Sequence, residues 1–131
     1  MMKTRILAVD DFQVSKGLVD LWEMMGCEAY AVDNEADAWR LFEEKRPDAC
    51  VLDLVIPRSP FDGMTLLRKM RIADKNMRCY VFTGTYCPRK SYEEQSRQIG
   101  IQGFYEKGLS GEKYMNFIRE VAGIEKKNGD R

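Results

Sequence analysis

The chain has 131 residues, 44% of them hydrophobic, which suits one compact domain around one core rather than two. Its 21 Lys and Arg balance its 21 Asp and Glu, so no net field favours nucleic acid or an anionic membrane, and neither is expected as a direct partner. Apolar runs reach about five residues where a membrane span needs roughly 20, and no signal-like apolar segment opens the chain, so a soluble, cytoplasmic protein is expected.

Cys27, Cys50, Cys79 and Cys87 are scattered without a C-x-x-C spacing, and there is no histidine to complete a zinc set. They read as reduced thiols. The missing histidine also excludes a Ser-His-Asp triad and a histidine general base, so any catalysis runs on carboxylates, Lys and Thr.

Along the chain, short apolar runs alternate with stretches of helical period. Ile6 to Val9 predicts a strand, and Leu18, Leu21, Trp22 and Met25 then repeat as one helix face, stopped at Gly26. Glu28 to Val32 is a weaker strand, followed by a helix marked by Ala38, Leu41 and Phe42 and ended by Pro47. Ala49 to Leu52 is the third strand, and after Gly63 come Leu66, Leu67 and Met70 on a third helix. Tyr80 to Phe82 is the fourth strand, and Lys90 to Ile99 a mostly polar helix closed by Gly100. Gly103 to Tyr105 is the last strand, with Tyr114, Phe117, Ile118 and Val121 on the last helix. Runs without strict alternation suit strands buried on both faces. The fold class is therefore α/β, a doubly wound parallel sheet of five β-α units with helices on both faces. Residues 1–123 form the expected domain and 124–131 a loose C-terminal tail. Trp22 and Trp39 read as core aromatics rather than a cofactor box.

Chemistry collects where the strands end. Asp10 and Asp11 follow the first apolar run, Asp53 the third, Thr83 the fourth and Lys107 the fifth. In open α/β sheets, ligands bind at the carboxyl edge of the strands, so these segments converge on one cleft. Three carboxylates close together repel unless a cation sits among them, and oxygen-only ligands favour Mg²⁺. Lys107 offers a point charge to the nucleophilic carboxylate and to a phosphoryl oxygen, and Thr83 offers a hydroxyl donor to another. Such a set neutralises the oxygens of a transferring phosphoryl group. Each residue singly has a plainer reading: a helix cap at Asp10 and Asp11, a loop aspartate, a strand-end threonine, a solvated lysine. Their coincidence at four strand ends favours the functional one.

These residues resemble the response-regulator receiver family from about Lys3 to Ala122. ILAVDDF resembles its acidic-pair strand and turn, and RPDACVLDLVIP its phosphoacceptor strand, with Pro57 four residues after Asp53. VFTGT carries its Thr and small residue, and GIQGFYEK its Gly, aromatic and Lys. The resemblance implies a flavodoxin-like strand order 2-1-3-4-5. It implies Asp53 as nucleophile, Asp11 as direct Mg²⁺ ligand, Asp10 acting through water, and the Val55 carbonyl completing the protein ligands. Thr83 and Lys107 would bind phosphoryl oxygens, and Phe104 would match the aromatic rotamer switch, with Tyr105 its neighbour. A sensor histidine kinase or phosphotransfer protein would donate the phosphoryl group. A downstream effector protein or output domain would read the fourth-helix and fifth-strand face. Such a protein is a self-phosphorylating and self-dephosphorylating switch more than a turnover enzyme. Three features depart from the family: Gly63 comes two residues late, the Thr83 to Lys107 stretch is about two residues long, and Gly108 replaces a frequent Pro.

Other classes fit less well. A domain that keeps the fold but no longer cycles phosphate has no need of the full Asp, Thr and Lys set. A haloacid-dehalogenase-like phosphatase wants an Asp two after its nucleophile, where Val55 stands. A flavodoxin-like flavin binder lacks its phosphate loop here, and Asp10 and Asp11 would repel the phosphate.

Overall fold

The structure, a computed structural model, describes residues 3–55, 63–84 and 89–124. In chain order the elements are β1 (Arg5–Val9), α1 (Phe12–Met24), β2 (Glu28–Val32), α2 (Glu35–Lys45), β3 (Ala49–Leu52), α3 (Gly63–Ala73), β4 (Arg78–Thr83), α4 (Arg89–Ile99), β5 (Gly103–Glu106) and α5 (Gly111–Ala122). The strands make one five-stranded sheet in the order β2-β1-β3-β4-β5, with every pair parallel. The expected α/β class, parallel sheet and strand order are all present.

Because successive side chains of a strand point to opposite faces, each central strand feeds two cores. Leu7, Val9, Cys50, Leu52, Cys79, Val81 and Phe104 face α2, α3 and α4 and pack with Phe42, Met64, Leu67 and Met70. Ile6, Ala8, Ala49, Val51, Tyr80 and Phe82 face α1 and α5 and pack with Leu18, Trp22, Phe117 and Ile118. All four residues of β3 are buried, which is why that strand reads as an uninterrupted apolar run.

The helix ends follow local chemistry. Asn34 caps α2 by accepting from the Asp37 N–H, and Asp11 caps α1 by accepting from the Val14 N–H. Gly100, just past α4, and Gly123, just past α5, adopt φ of 103° and 78°, a left-handed exit open to glycine. The α1 stripe is rotated from the sequence expectation: Ser15, Leu18, Val19 and Trp22 are buried, while Leu21 is half-buried and Met25 is the C-cap. Trp22 is fully buried and its indole N–H donates to the Ile118 carbonyl at 3.0 Å, tying α1 to α5. Trp39 sits at the edge of the core, its ring centroid 5.0 Å from that of Phe42. It is half-buried, with the Lys69 ammonium 4.1 Å from its ring centroid.

Cys27, Cys50 and Cys79 are free and buried. Cys87, Pro57, the RSPFDG loop up to residue 62 and residues 125–131 of the expected tail lie outside the described residues. No helix among the described residues is long and apolar enough to cross a membrane.

Candidate functional site

The sheet delivers its polar residues to one edge. The Asp10 N–H donates to the Val32 carbonyl at 3.1 Å, continuing the β1–β2 ladder by one residue, and the Asp53 N–H donates to the Val9 carbonyl at 2.9 Å. Thr83 is the last residue of β4, and its carbonyl accepts from the Lys107 N–H at 2.8 Å. Strand register thus fixes the backbone of all four, and their side chains meet in a cleft.

Lys107 Nζ lies 2.8 Å from Asp10 Oδ1 and 2.7 Å from Asp53 Oδ2. The other Asp53 oxygen, Oδ1, accepts from the Thr83 hydroxyl at 2.8 Å and from the Val55 N–H at 3.1 Å. Asp10, Asp53 and Thr83 are 3%, 2% and 1% exposed, so little water competes for these bonds. Asp53 is held on both oxygens by donors from three segments.

The charges are unequal: two buried carboxylates share one ammonium. Burial raises Asp10 from 3.8 to about 7, opposed by its hydrogen bond to Lys107 and reinforced by the Asp53 charge. Against burial, which alone would lower it, hydrogen bonds to Asp10 and Asp53 raise the Lys107 ammonium above its ordinary value. Lys107 is therefore locked in its charged form.

Of the residues singled out in the sequence, Asp10, Asp53, Thr83 and Lys107 come together directly. Asp11 is next to the cleft but differently employed: its Oδ1 accepts from the Val14 N–H at 3.1 Å, and its own N–H donates to Asp10 Oδ1 at 2.7 Å. The expected convergence of three carboxylates is thus a buried pair with a third at the rim. Among the described residues no group of three acidic, cysteine or histidine side chains is arranged to hold a metal ion. Val55 is 44% exposed at the mouth, and its backbone enters the site through its N–H. Phe104 is not in the cleft. It lies beside Val81 on the α4 side of the sheet, 7% exposed, while Tyr105 points the other way, packs on Phe117 and donates to Glu120. Gly63, read from the sequence as a helix start and as the family's glycine placed two residues late, packs on the backbone that follows Asp53: its N–H donates to the Leu54 carbonyl at 2.7 Å.

Sporulation initiation phosphotransferase F of Bacillus subtilis (strain 168) is 31% identical over 84 residues, which cover 63% of this chain and 66% of that protein. The chain thus spans just under two thirds of that relative. The polar-differentiation response regulator DivK of Brucella anthropi is 26% identical over 123 residues, covering 93% of this chain and 98% of that one. The solved structure of a CheY-like response regulator receiver domain protein from Methanospirillum hungatei JF-1 superposes with a TM-score of 0.81 at 20% identity, covering 93% of this chain and 95% of that chain. Residues 6–119 match the family described as the response regulator receiver domain, and the chain belongs to that family.

Proposed function

We propose that the chain is the phosphoacceptor of a two-component system, with Asp53 taking a phosphoryl group from a sensor histidine kinase or a phosphotransfer protein. The observation that carries this reading is the clamp on Asp53, with an ammonium 2.7 Å from one oxygen and a hydroxyl 2.8 Å from the other. A carboxylate oxygen of Asp53 attacks phosphorus as the bond from phosphorus to the donor's leaving group breaks. The leaving group departs with the bonding pair, and the product is an aspartyl phosphate. Lys107 and Thr83 then transfer their donors from the carboxylate to phosphoryl oxygens, where new negative charge needs them.

The donor set fits Mg²⁺. It is all oxygen, and the buried pair has one ammonium for two carboxylates, with burial first and the Asp53 charge after it holding Asp10 up at about 7. Asp11, Asp53 and the Val55 carbonyl would hold the ion, with Asp10 reaching it through water. Bound there, Mg²⁺ supplies Lewis-acid neutralisation of the phosphoryl oxygens. Asp11 keeps its capping bond through Oδ1, so α1 and the site share one residue.

Residues 1–123 act as the receiver unit, in the cytoplasm, and 124–131 as a tail. Output runs through the face of α4, β5 and α5 to an effector protein or output domain. Passage of the Thr83 hydroxyl from the Asp53 carboxylate to a phosphoryl oxygen would bias the Phe104 side of the sheet. The names of the relatives, a phosphotransferase and a response regulator, support the reading.

Incubation with Mg²⁺ and acetyl phosphate, followed by intact and peptide mass, tests it. We expect one phosphoryl group on Asp53, lost in Asp53→Asn and in the presence of chelator. Label that persists in Asp53→Asn, or that maps to Ser or Thr, would overturn it.

A further inference from the structure

Gly63 opens α3 directly against the backbone that carries Asp53. A Cβ placed there would lie 2.7 Å from Leu54 Cα and 3.1 Å from the Asp53 carbonyl carbon, with the Asp53 carbonyl oxygen closer still. All three are backbone atoms, so no side chain can swing aside. Carbon atoms pack at about 3.5 Å or more, so the Leu54 contact alone requires a separation of roughly 0.8 Å more than the 2.7 Å available. Something in the main chain must move.

Both sides are anchored. Met64, Leu66, Leu67 and Met70 hold α3 in the core, each 3% exposed or less, and Leu54 is 2% exposed in the same core. The Asp53 N–H bonds the Val9 carbonyl, but Leu54 and Val55 lie beyond the last ladder pair of β3, Val9 with Leu52. A side chain at residue 63 therefore strains both the start of α3 and the Asp53–Val55 segment. That segment supplies both the carboxylate and the Val55 N–H bonded to its Oδ1. Thr83 and Lys107 come from β4 and from beyond β5, so they do not follow the shift. We infer that Gly63 is a positioning residue for phosphoryl transfer: its bare Cα and its N–H bond to Leu54 seat α3 on the Asp53 backbone and set the carboxylate against Lys107 and Thr83. The inference rests on the phosphoacceptor reading above.

The test compares the wild type, Gly63→Ala and Leu67→Ala, the last loosening the core contact of α3 without placing an atom against the Asp53 backbone. Rates of Asp53 labelling by acetyl phosphate with Mg²⁺ are measured across donor concentrations, at a temperature where Trp22 fluorescence shows each chain folded. A misplacement on this scale costs about 100-fold in favourable cases. We expect the limiting rate of Gly63→Ala to fall roughly 10- to 100-fold, with the half-saturating donor concentration within about twofold of wild type. Leu67→Ala should melt lower yet label at the wild-type rate. A Gly63→Ala chain that labels within about twofold of wild type, or a parallel loss in Leu67→Ala, overturns the inference. Wild type that takes no label on Asp53 overturns the phosphoacceptor reading itself.

Where Gly63→Ala does not fold, the wild-type chain still decides. If the Gly63 seat and the Asp53 site are coupled, loading one stabilises the other. Beryllofluoride with Mg²⁺ should then slow hydrogen exchange of the Gly63 amide at least about fivefold more than that of amides at the far end of α3, and not in Asp53→Asn. An unresponsive Gly63 amide, with spectra showing Asp53 loaded, refutes the coupling.

Discussion

Replacing Asp10 by Asn measures the electrostatic load of the cleft. Asp10 and Asp53 are 3% and 2% exposed and share the Lys107 ammonium, so one negative charge is left uncompensated when both ionise. The folded chain holds Asp10 at about 7 against an ordinary 3.8. Below 3.8 both folded and unfolded chains carry the proton and burial costs little. Between 3.8 and 7 the folded chain keeps a proton that the unfolded chain has lost, and above 7 the folded chain bears the full cost of the charge. The stability tied to protonated Asp10 is thus complete at low pH and lost as pH rises through about 7. A difference of about three pH units corresponds to about 4 kcal/mol at pH 8. Asn keeps an acceptor for the Asp11 N–H and for Lys107, but its amide N–H₂ needs new partners, which takes back about 1–2 kcal/mol. In urea unfolding with chelator, Asp10→Asn should gain about 2–3 kcal/mol over wild type at pH 8, and most of that gain should vanish at pH 5. Mg²⁺ should then narrow the gap by stabilising wild type. A variant no more stable than wild type at pH 8 would show that the carboxylate pair carries no such load.

Two further substitutions probe how the flanking helices are held. Trp22→Phe removes the indole bond to the Ile118 carbonyl and leaves a void between α1 and α5, so stability should fall by about 2–3 kcal/mol; a loss under about 1 kcal/mol in denaturant unfolding would mean that the bond and the packing contribute little. Arg71 donates to the Asp74 carbonyl at 3.0 Å and to the Gly100 carbonyl at 2.7 Å, joining the ends of α3 and α4. Its Nε is buried without a partner among the described residues, so Arg71→Met both removes two bonds and relieves one unmet donor. A net loss of about 1 kcal/mol is expected, with faster amide exchange over the last turn of α4; unchanged exchange there would rule out the arginine as the pin.

The strands were legible because a parallel sheet covered on both faces leaves nothing polar inside it. Ala49–Leu52 reads with its observed bounds for that reason. The fourth strand reads short, as Tyr80 to Phe82, although it begins at Arg78. A charged residue looks like a strand boundary until the α5 carbonyl that it bonds, that of Val121 at 2.6 Å, is in view. The α1 stripe shows the same limit. Leu21 and Met25 outrank Ser15 in hydrophobicity, yet Ser15 is fully buried, with its hydroxyl donating to the Asp11 carbonyl at 3.2 Å. A small side chain that satisfies its own hydroxyl on the preceding turn fits under a neighbour where a larger apolar one does not. Trp39 is legible as an aromatic near the core but not as a surface one, because the Lys69 ammonium that covers its ring comes from another helix.

In the site, position was legible and orientation was not. The motif spacing brings Asp10, Asp53, Thr83 and Lys107 to strand ends, and parallel register then makes them neighbours whatever lies between. Adjacent residues leaving a strand diverge, however, and Asp10 turns inward while Asp11 turns to the first turn of α1. The composition DD does not say which aspartate does which. Gly63 is harder to read, because its contribution is an atom it lacks. A glycine before a helical stretch looks like a helix start in any sequence, and only the nearness of Leu54 Cα distinguishes a spacer from a seat. Residues that donate atoms leave a chemical signature in the sequence. A residue that works by leaving room for another backbone leaves only a glycine, so the part of this site that sets the place of Asp53 becomes visible once α3 is packed against it.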